Sequence, residues 1–168
     1  MACDITSGFA LDCKDQRIGV KQIDFSPFVA ANIYTITAGE IATLPVGLTD
    51  VFTYEVKATG NLFTDTPTVN ADTRTVEFVQ SLTALIHRLT KEKDVQLQLL
   101  VYGRVVAFVH DYNGNVWALG IDSGMEVTTL AKSTDTQTYT ITLEAKDNKF
   151  APPLSAAAIT ALAALATI

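Results

Sequence analysis

Val105-Val-Ala-Phe-Val-His-Asp-Tyr-Asn-Gly-Asn-Val-Trp-Ala-Leu-Gly120 decides the fold of this chain. Two apolar runs flank Asn113-Gly114, a pair that tolerates the positive φ demanded at both central positions of a type I′ turn. The segment therefore predicts a β-hairpin whose register is set at Asn113 and Gly114. Further on, Thr136 to Lys146 alternates strictly. Tyr139, Ile141, Leu143 and Ala145 take one face, and Thr138, Thr140, Thr142 and Glu144 take the other. One apolar and one polar face is the pattern of an antiparallel sandwich or barrel with a packed side and a wet side.

Outward from this region the same grammar recurs. Gly19 to Phe25 reads as a short strand ending before Ser26-Pro27, and Asn32 to Thr37 as a second. Pro45 and Gly47 mark a loop. Val51 to Lys57 is a further strand, the chain turns over Ala58 to Asn61, and Leu62-Phe63-Thr64 begins its return. Asp65 to Asp72 reads as a polar loop carrying Pro67 and Asn70, a candidate inter-subunit contact through Asp65, Thr66, Pro67, Asn70 and Asp72.

Thr73 to Val79 favours a strand by composition. Phe78, Leu82, Leu85, Ile86 and Leu89 then recur at helical spacing, which predicts a helix near 81–92 with Ser81 as its N-cap. Lys91 and Lys93 suit the negative end of its dipole. The fold class expected is mainly β with one α-helix. Residues 1–16 form an N-terminal arm, 17–154 the sandwich domain, and 155–168 an Ala-rich tail with good helix propensity.

Composition narrows the function. The 168 residues are 48% hydrophobic and 18% charged, less charged than the roughly 25% of ordinary globular domains. Mean hydropathy is +0.25. No stretch reaches the ~18 apolar residues of a spanning helix, and the N-terminus lacks the basic and apolar regions of a secretory signal. The apolar excess is expected to be buried between subunits of a protein made in the cytoplasm. Net charge is −6, and the one basic cluster, Arg88 to Lys93, is interrupted by Glu92, so direct nucleic-acid binding is not expected.

Chemistry is sparse. No phosphate loop, nucleophile elbow, dinucleotide fingerprint or zinc-protease motif is present. His87 is expected on the polar side of the helix. His110 and Asp111 are strand neighbours whose side chains diverge, and Asp111 is better placed to cap the Tyr112–Asn115 turn. Asp122 and Glu126 fall short of the roughly six to eight oxygens calcium requires. Trp117 reads as a core or interface anchor. Cys3 and Cys13 read as reduced thiols, with a disulfide formed outside the cell as the alternative. No catalytic residue, cofactor or metal site is expected.

The opening Met1-Ala-Cys-Asp-Ile-Thr-Ser-Gly8, then Leu11-Asp-Cys-Lys-Asp15 and Gly19-Val-Lys-Gln-Ile23, resembles the N-terminus of tailed-bacteriophage virion proteins. The downstream order is similar too: Asp111-Tyr-Asn-Gly-Asn-Val-Trp-Ala-Leu-Gly120, Gly124-Met-Glu126, and the strand ending Glu144-Ala-Lys-Asp-Asn-Lys-Phe-Ala-Pro152. The resemblance covers roughly residues 1–154 and is greatest to the tail tube, or major tail, proteins. It implies packed antiparallel sheets with a flanking helix, assembled as hexameric rings stacked into a conduit through which DNA passes without specific binding. It also implies other virion proteins as partners, a place in the phage tail and no membrane. Thr138, Thr140, Thr142 and Glu144 are then candidates for the lumen- or solvent-facing strand. A head decoration or head-to-tail connector protein is the alternative, and a small ligand-binding sandwich a more distant one.

Overall fold

The computed structural model describes residues 17–57 and 59–168. Cys3, Cys13, the N-terminal arm and Ala58 lie outside the described residues. In chain order the strands are β1 (Val20–Pro27), β2 (Thr35–Thr37), β3 (Glu40–Thr43), β4 (Val51–Glu55), β5 (Leu62–Asn70) and β6 (Thr75–His87). After helix α1 (Lys91–Tyr102) come β7 (Val105–Asp111), β8 (Val116–Leu119), β9 (Glu126–Ser133) and β10 (Thr138–Asp147). Helix α2 (Ala156–Leu165) and the short β11 (Ala166–Thr167) close the chain.

The protein is mainly β. One sheet runs β11-β4-β1-β7-β8, a second runs β5-β6-β10-β9, and β2-β3 form a separate hairpin. The two large sheets share a core. Ile23, Phe25, Ala107 and Val109 of the first meet Leu82, Ala84, Tyr139, Ile141 and Leu143 of the second. The first sheet is buried on its other face as well, where Val106 and Phe108 pack with Ile41, Val51, Ala158 and Leu162. Burial on both faces explains why Val105 to Val109 is a continuous apolar run, while β10, covered on one face only, alternates.

The alternation in β10 is realised: Tyr139, Ile141, Leu143 and Ala145 are buried against the first sheet. The hairpin joins β7 and β8 as expected, but its turn is not type I′. Gly114 is left-handed (φ 88°), Asn113 is not among the residues with positive φ, and the Asp111 N–H donates to the Asn115 carbonyl at 3.0 Å. This is a three-residue loop with glycine in the left-handed position that such loops require. Asp111 caps it, its carboxylate accepting from the N–H groups of Asn113 (2.9 Å) and Asn115 (2.8 Å). The turn with two left-handed central residues is Ala38-Gly39, at φ 53° and 87°, between β2 and β3.

The expected helix near 81–92 is instead the second half of β6. Gln80, Leu82, Ala84 and Ile86 are buried at a period of two, and Leu82 with Ile86 also satisfies the helical spacing. Pairing decides between the periods. β6 lies between β5 and β10, matched to β10 from Phe78 to His87, and a ladder on both sides outweighs local propensity. Ser81 is therefore a strand residue. The N-cap is Thr90, whose Oγ1 accepts from the Lys93 N–H at 3.3 Å, with Glu92 and Asp94 in the first turn.

Asp65 to Asp72 is not a loop. Asp65 to Asn70 belong to β5, paired residue by residue with Gln80 to Thr75, and only the four residues between β5 and β6 turn. Pro67 is tolerated because β5 is an outer strand with a neighbour on one side only. The Ala-rich segment is likewise no separate tail. α2 is capped by Ser155, buries Ala158 and Leu162, and delivers Ala166 and Thr167 into parallel pairing with Val51 and Phe52. Among the described residues there are two helices, not one.

Candidate functional site

The outer face of the second sheet is a field of hydroxyls. Register places Thr64, Ser81, Glu144 and Glu126 in one row and Leu62, Thr83, Thr142 and Thr129 in the next. Thr66 and Thr68 extend the field along β5. Thr140 and Glu144 are exposed and Thr142 is half-buried, its Oγ1 lying 3.5 Å from that of Thr83. Thr138 departs from the expected surface role: it is buried, with its Oγ1 2.6 Å from the Thr136 hydroxyl. Lys146 on this face is paired with Glu77 at 3.0 Å.

The sheet edges differ sharply. The outer edge of β8 is covered by the segment after β10. The Ala118 N–H donates to Pro152 (3.0 Å), the Leu154 N–H donates to Val116 (2.8 Å), and Trp117 bridges Pro153. The start of β4 is covered by β11. The C-terminal quarter of the chain thus lines the outer edge of β8 and the first two residues of β4. Neither β5 nor β9 has a second neighbour among the described residues. Long open edges are templates for pairing with another chain.

The β5–β6 hairpin also projects beyond β10, which stops opposite Phe78. In the projecting part Thr68, Val69 and Asn70 pair with Glu77, Val76 and Thr75. Val69 and Val76, 69% and 50% exposed, form an apolar pair on it. Asn70 orders the tip, its Oδ1 accepting from the N–H groups of Asp72 (3.0 Å) and Thr73 (3.2 Å). Of the candidate inter-subunit residues, Thr66, Pro67, Asn70 and Asp72 are exposed. Asp65 is half-buried and turned toward its own domain, accepting from the Ala151 N–H at 2.5 Å.

One constellation escaped the sequence. Asp24 of β1 is 1% exposed and meets His110 Nε2 at 2.7 Å; the His110 side chain is 19% exposed. Gln22 Nε2 and Thr53 Oγ1 each donate to the other Asp24 oxygen at 2.8 Å. Burial alone would push the Asp24 carboxyl up. The hydrogen bonds from His110, Gln22 and Thr53, with the His110 charge, outweigh it and hold the group below the usual carboxylate range. The partners lie 86 residues apart in sequence, and only the β1–β7 register brings them together. The one sequence signal is an aspartate set between the apolar residues Ile23 and Phe25 of β1. The arrangement ties three strands and, among the described residues, brings no serine or cysteine to the imidazole.

His87 lies on β6, not on a helix, and its Nε2 is buried with no partner among the described residues. Trp117 packs on Phe63, ring centres 6.1 Å apart, at the margin of the shared core. Asp122 pairs with Lys149 at 2.9 Å. Among the described residues no three His, Cys, Asp or Glu side chains are gathered as a metal site would need, and no helix is long and apolar enough to cross a membrane. The class these features define is a mainly β protein with two packed sheets and one sheet left open at both edges. No protein-family profile and no curated protein sequence matches the chain.

Proposed function

We propose that this is a structural virion protein of the tail tube type, which assembles by joining its open sheet edges into rings that stack into a conduit for DNA. The observation that carries the reading is the asymmetry of the edges. The C-terminal segment covers β8 and the start of β4, while β5 and β9, 9 and 8 residues long, stand open. Pairing β5 of one copy with β9 of the next makes a continuous antiparallel sheet, and closing the ring removes both open edges of this sheet.

The face this sheet turns outward supports the reading. Its hydroxyls and carboxylates, with Lys146 held by Glu77, give DNA phosphates little to adhere to. The projecting β5–β6 hairpin is positioned to reach a neighbouring ring, with Val69 and Val76 as its apolar contact. The N-terminal resemblance to tail virion proteins points the same way. Negative-stain microscopy of the purified protein tests the proposal: filaments of uniform bore are expected, whereas discrete trimers or monomers at all concentrations would favour a head decoration protein.

A further inference from the structure

The end of the sandwich beneath the projecting hairpin holds a buried polar cluster that assembly does not explain. Gln80 is fully buried. Its Oε1 accepts from the Gly120 N–H at 2.7 Å, and its Nε2 donates to the Lys149 carbonyl at 3.4 Å. Asp65 and Asp147 lie on the same inner face of the sheet, on the strands to either side of β6. One Asp65 oxygen holds the Ala151 N–H, and one Asp147 oxygen holds the Ser123 N–H (3.2 Å) and hydroxyl (2.8 Å). The second oxygen of each carboxylate is buried without a donor. Such an oxygen is costly as an anion and inexpensive as an acid.

Gln80 and Asp65 grip the strap from Asn148 to Leu154 through the Lys149 carbonyl and the Ala151 N–H, and Asp147, the last residue of β10, fixes the root of the strap to Ser123. The same strap covers the outer edge of β8 through the Ala118–Pro152 and Leu154–Val116 hydrogen bonds. We propose that Asp65 and Asp147 form a proton-operated latch: a proton held on the pair keeps the strap closed, and ionisation of both carboxyls loosens it and uncovers β8.

The surrounding charges favour this. From the neighbouring loop Asp122 adds negative charge, although Lys149 of the strap binds it. Glu77 of β6 is matched by Lys146 of β10. No cation contacts the two unpaired oxygens among the described residues. Burial raises the Asp65 carboxyl; the Ala151 N–H partly opposes this, and the Asp147 charge adds to it. Burial likewise raises Asp147; the Ser123 hydroxyl and N–H and the Asp122 N–H oppose this, and the Asp122 charge adds to it. The closed form thus binds protons that the open form releases. Its advantage is fully present below the ordinary carboxyl range and is lost as pH rises through the folded values.

Hydrogen exchange of the intact protein tests the latch, with the amides of Ala118, Ala151 and Leu154 as reporters and those of β6 and β10 as the internal reference. Between about pH 5 and about pH 8 the reporters should exchange faster relative to the reference, by about tenfold for each unit of raised pKa. Asp65→Asn and Asp147→Asn should each flatten that ratio. A flat ratio in the native protein, or one unchanged in both variants, overturns the proposal. Should neither variant fold, carbon-13 titration of the native side-chain carboxyls decides. Ionisation of both in the ordinary aspartate range overturns the latch, and ionisation above that range upholds it.

Discussion

Asp24 shows how much of this protein rests on single contacts between distant residues. A carboxylate with three donors is stable in an apolar face, and removing one donor leaves a charge without adequate solvation. His110→Ala should cost about 2–3 kcal/mol in urea unfolding, a charge-assisted hydrogen bond plus the exposed penalty. Because folding lowers the Asp24 pKa, its contribution is present above the ordinary carboxyl range and is lost as pH falls through the folded value. Acid unfolding followed by circular dichroism should show the native protein losing this increment with falling pH and His110→Ala losing less. Ala38 is the opposite case, a residue that opposes its own backbone. Its φ of 53° is left-handed, and an added Cβ makes that conformation costly. Ala38→Gly should therefore raise stability by about 0.5–1 kcal/mol, measured by thermal or urea unfolding. Neither feature was readable in advance. The Asp24–His110 contact depends on strand register, and although Ala38-Gly39 marks the end of β2, alanine carries no signal for a left-handed φ.

Elements were legible in proportion to how singly their pattern could be read. β10 buries one face only, so Tyr139, Ile141, Leu143 and Ala145 declare it without ambiguity. β6 carries two periods at once. Leu82 and Ile86 serve both a strand and a helix, and the choice is made by β5 and β10, whose pairing no local window contains. Pro67 argued for a loop because proline breaks ladders, yet an outer strand needs its hydrogen bonds on one side only. The candidate surface was legible in part for the same reason: Thr140, Thr142 and Glu144 follow from alternation, while the burial of Thr138 depends on the turn beside it. The open edges make a prediction at this scale. Leu130 of β9 sits opposite Ile141 on the inward side and is still 36% exposed. Leu130→Lys places an inward-pointing charge on an edge strand, the device by which sheets resist pairing. Sedimentation should show the variant folded and monomeric under conditions where the native protein assembles. Continued filament formation would count against β9 as the joining edge.

At the scale of the molecule, the C-terminal quarter determines which surfaces remain available. It covers β8 with the strap, completes the second core with α2 and covers the start of β4 with β11, leaving the edges of the other sheet as the route that the proposed assembly would take. Leu162→Ala should cost about 2–5 kcal/mol as a buried core truncation and, by loosening α2, promote disordered association through the first sheet, which light scattering would register. The conduit reading makes the more demanding prediction. If the hydroxyl face lines a channel, its low affinity for DNA comes from the absence of free positive charge, since phosphate contacts with lysine and arginine dominate such binding. Thr140→Lys with Thr142→Lys adds two cations to each subunit without touching the edges or the core. The double variant should still form filaments of native bore, and those filaments should retain DNA at low salt and release it as salt is raised. Native filaments should retain none under the same conditions. If the variant filaments bind DNA no better than native ones, this face does not line the conduit, whatever the filaments look like.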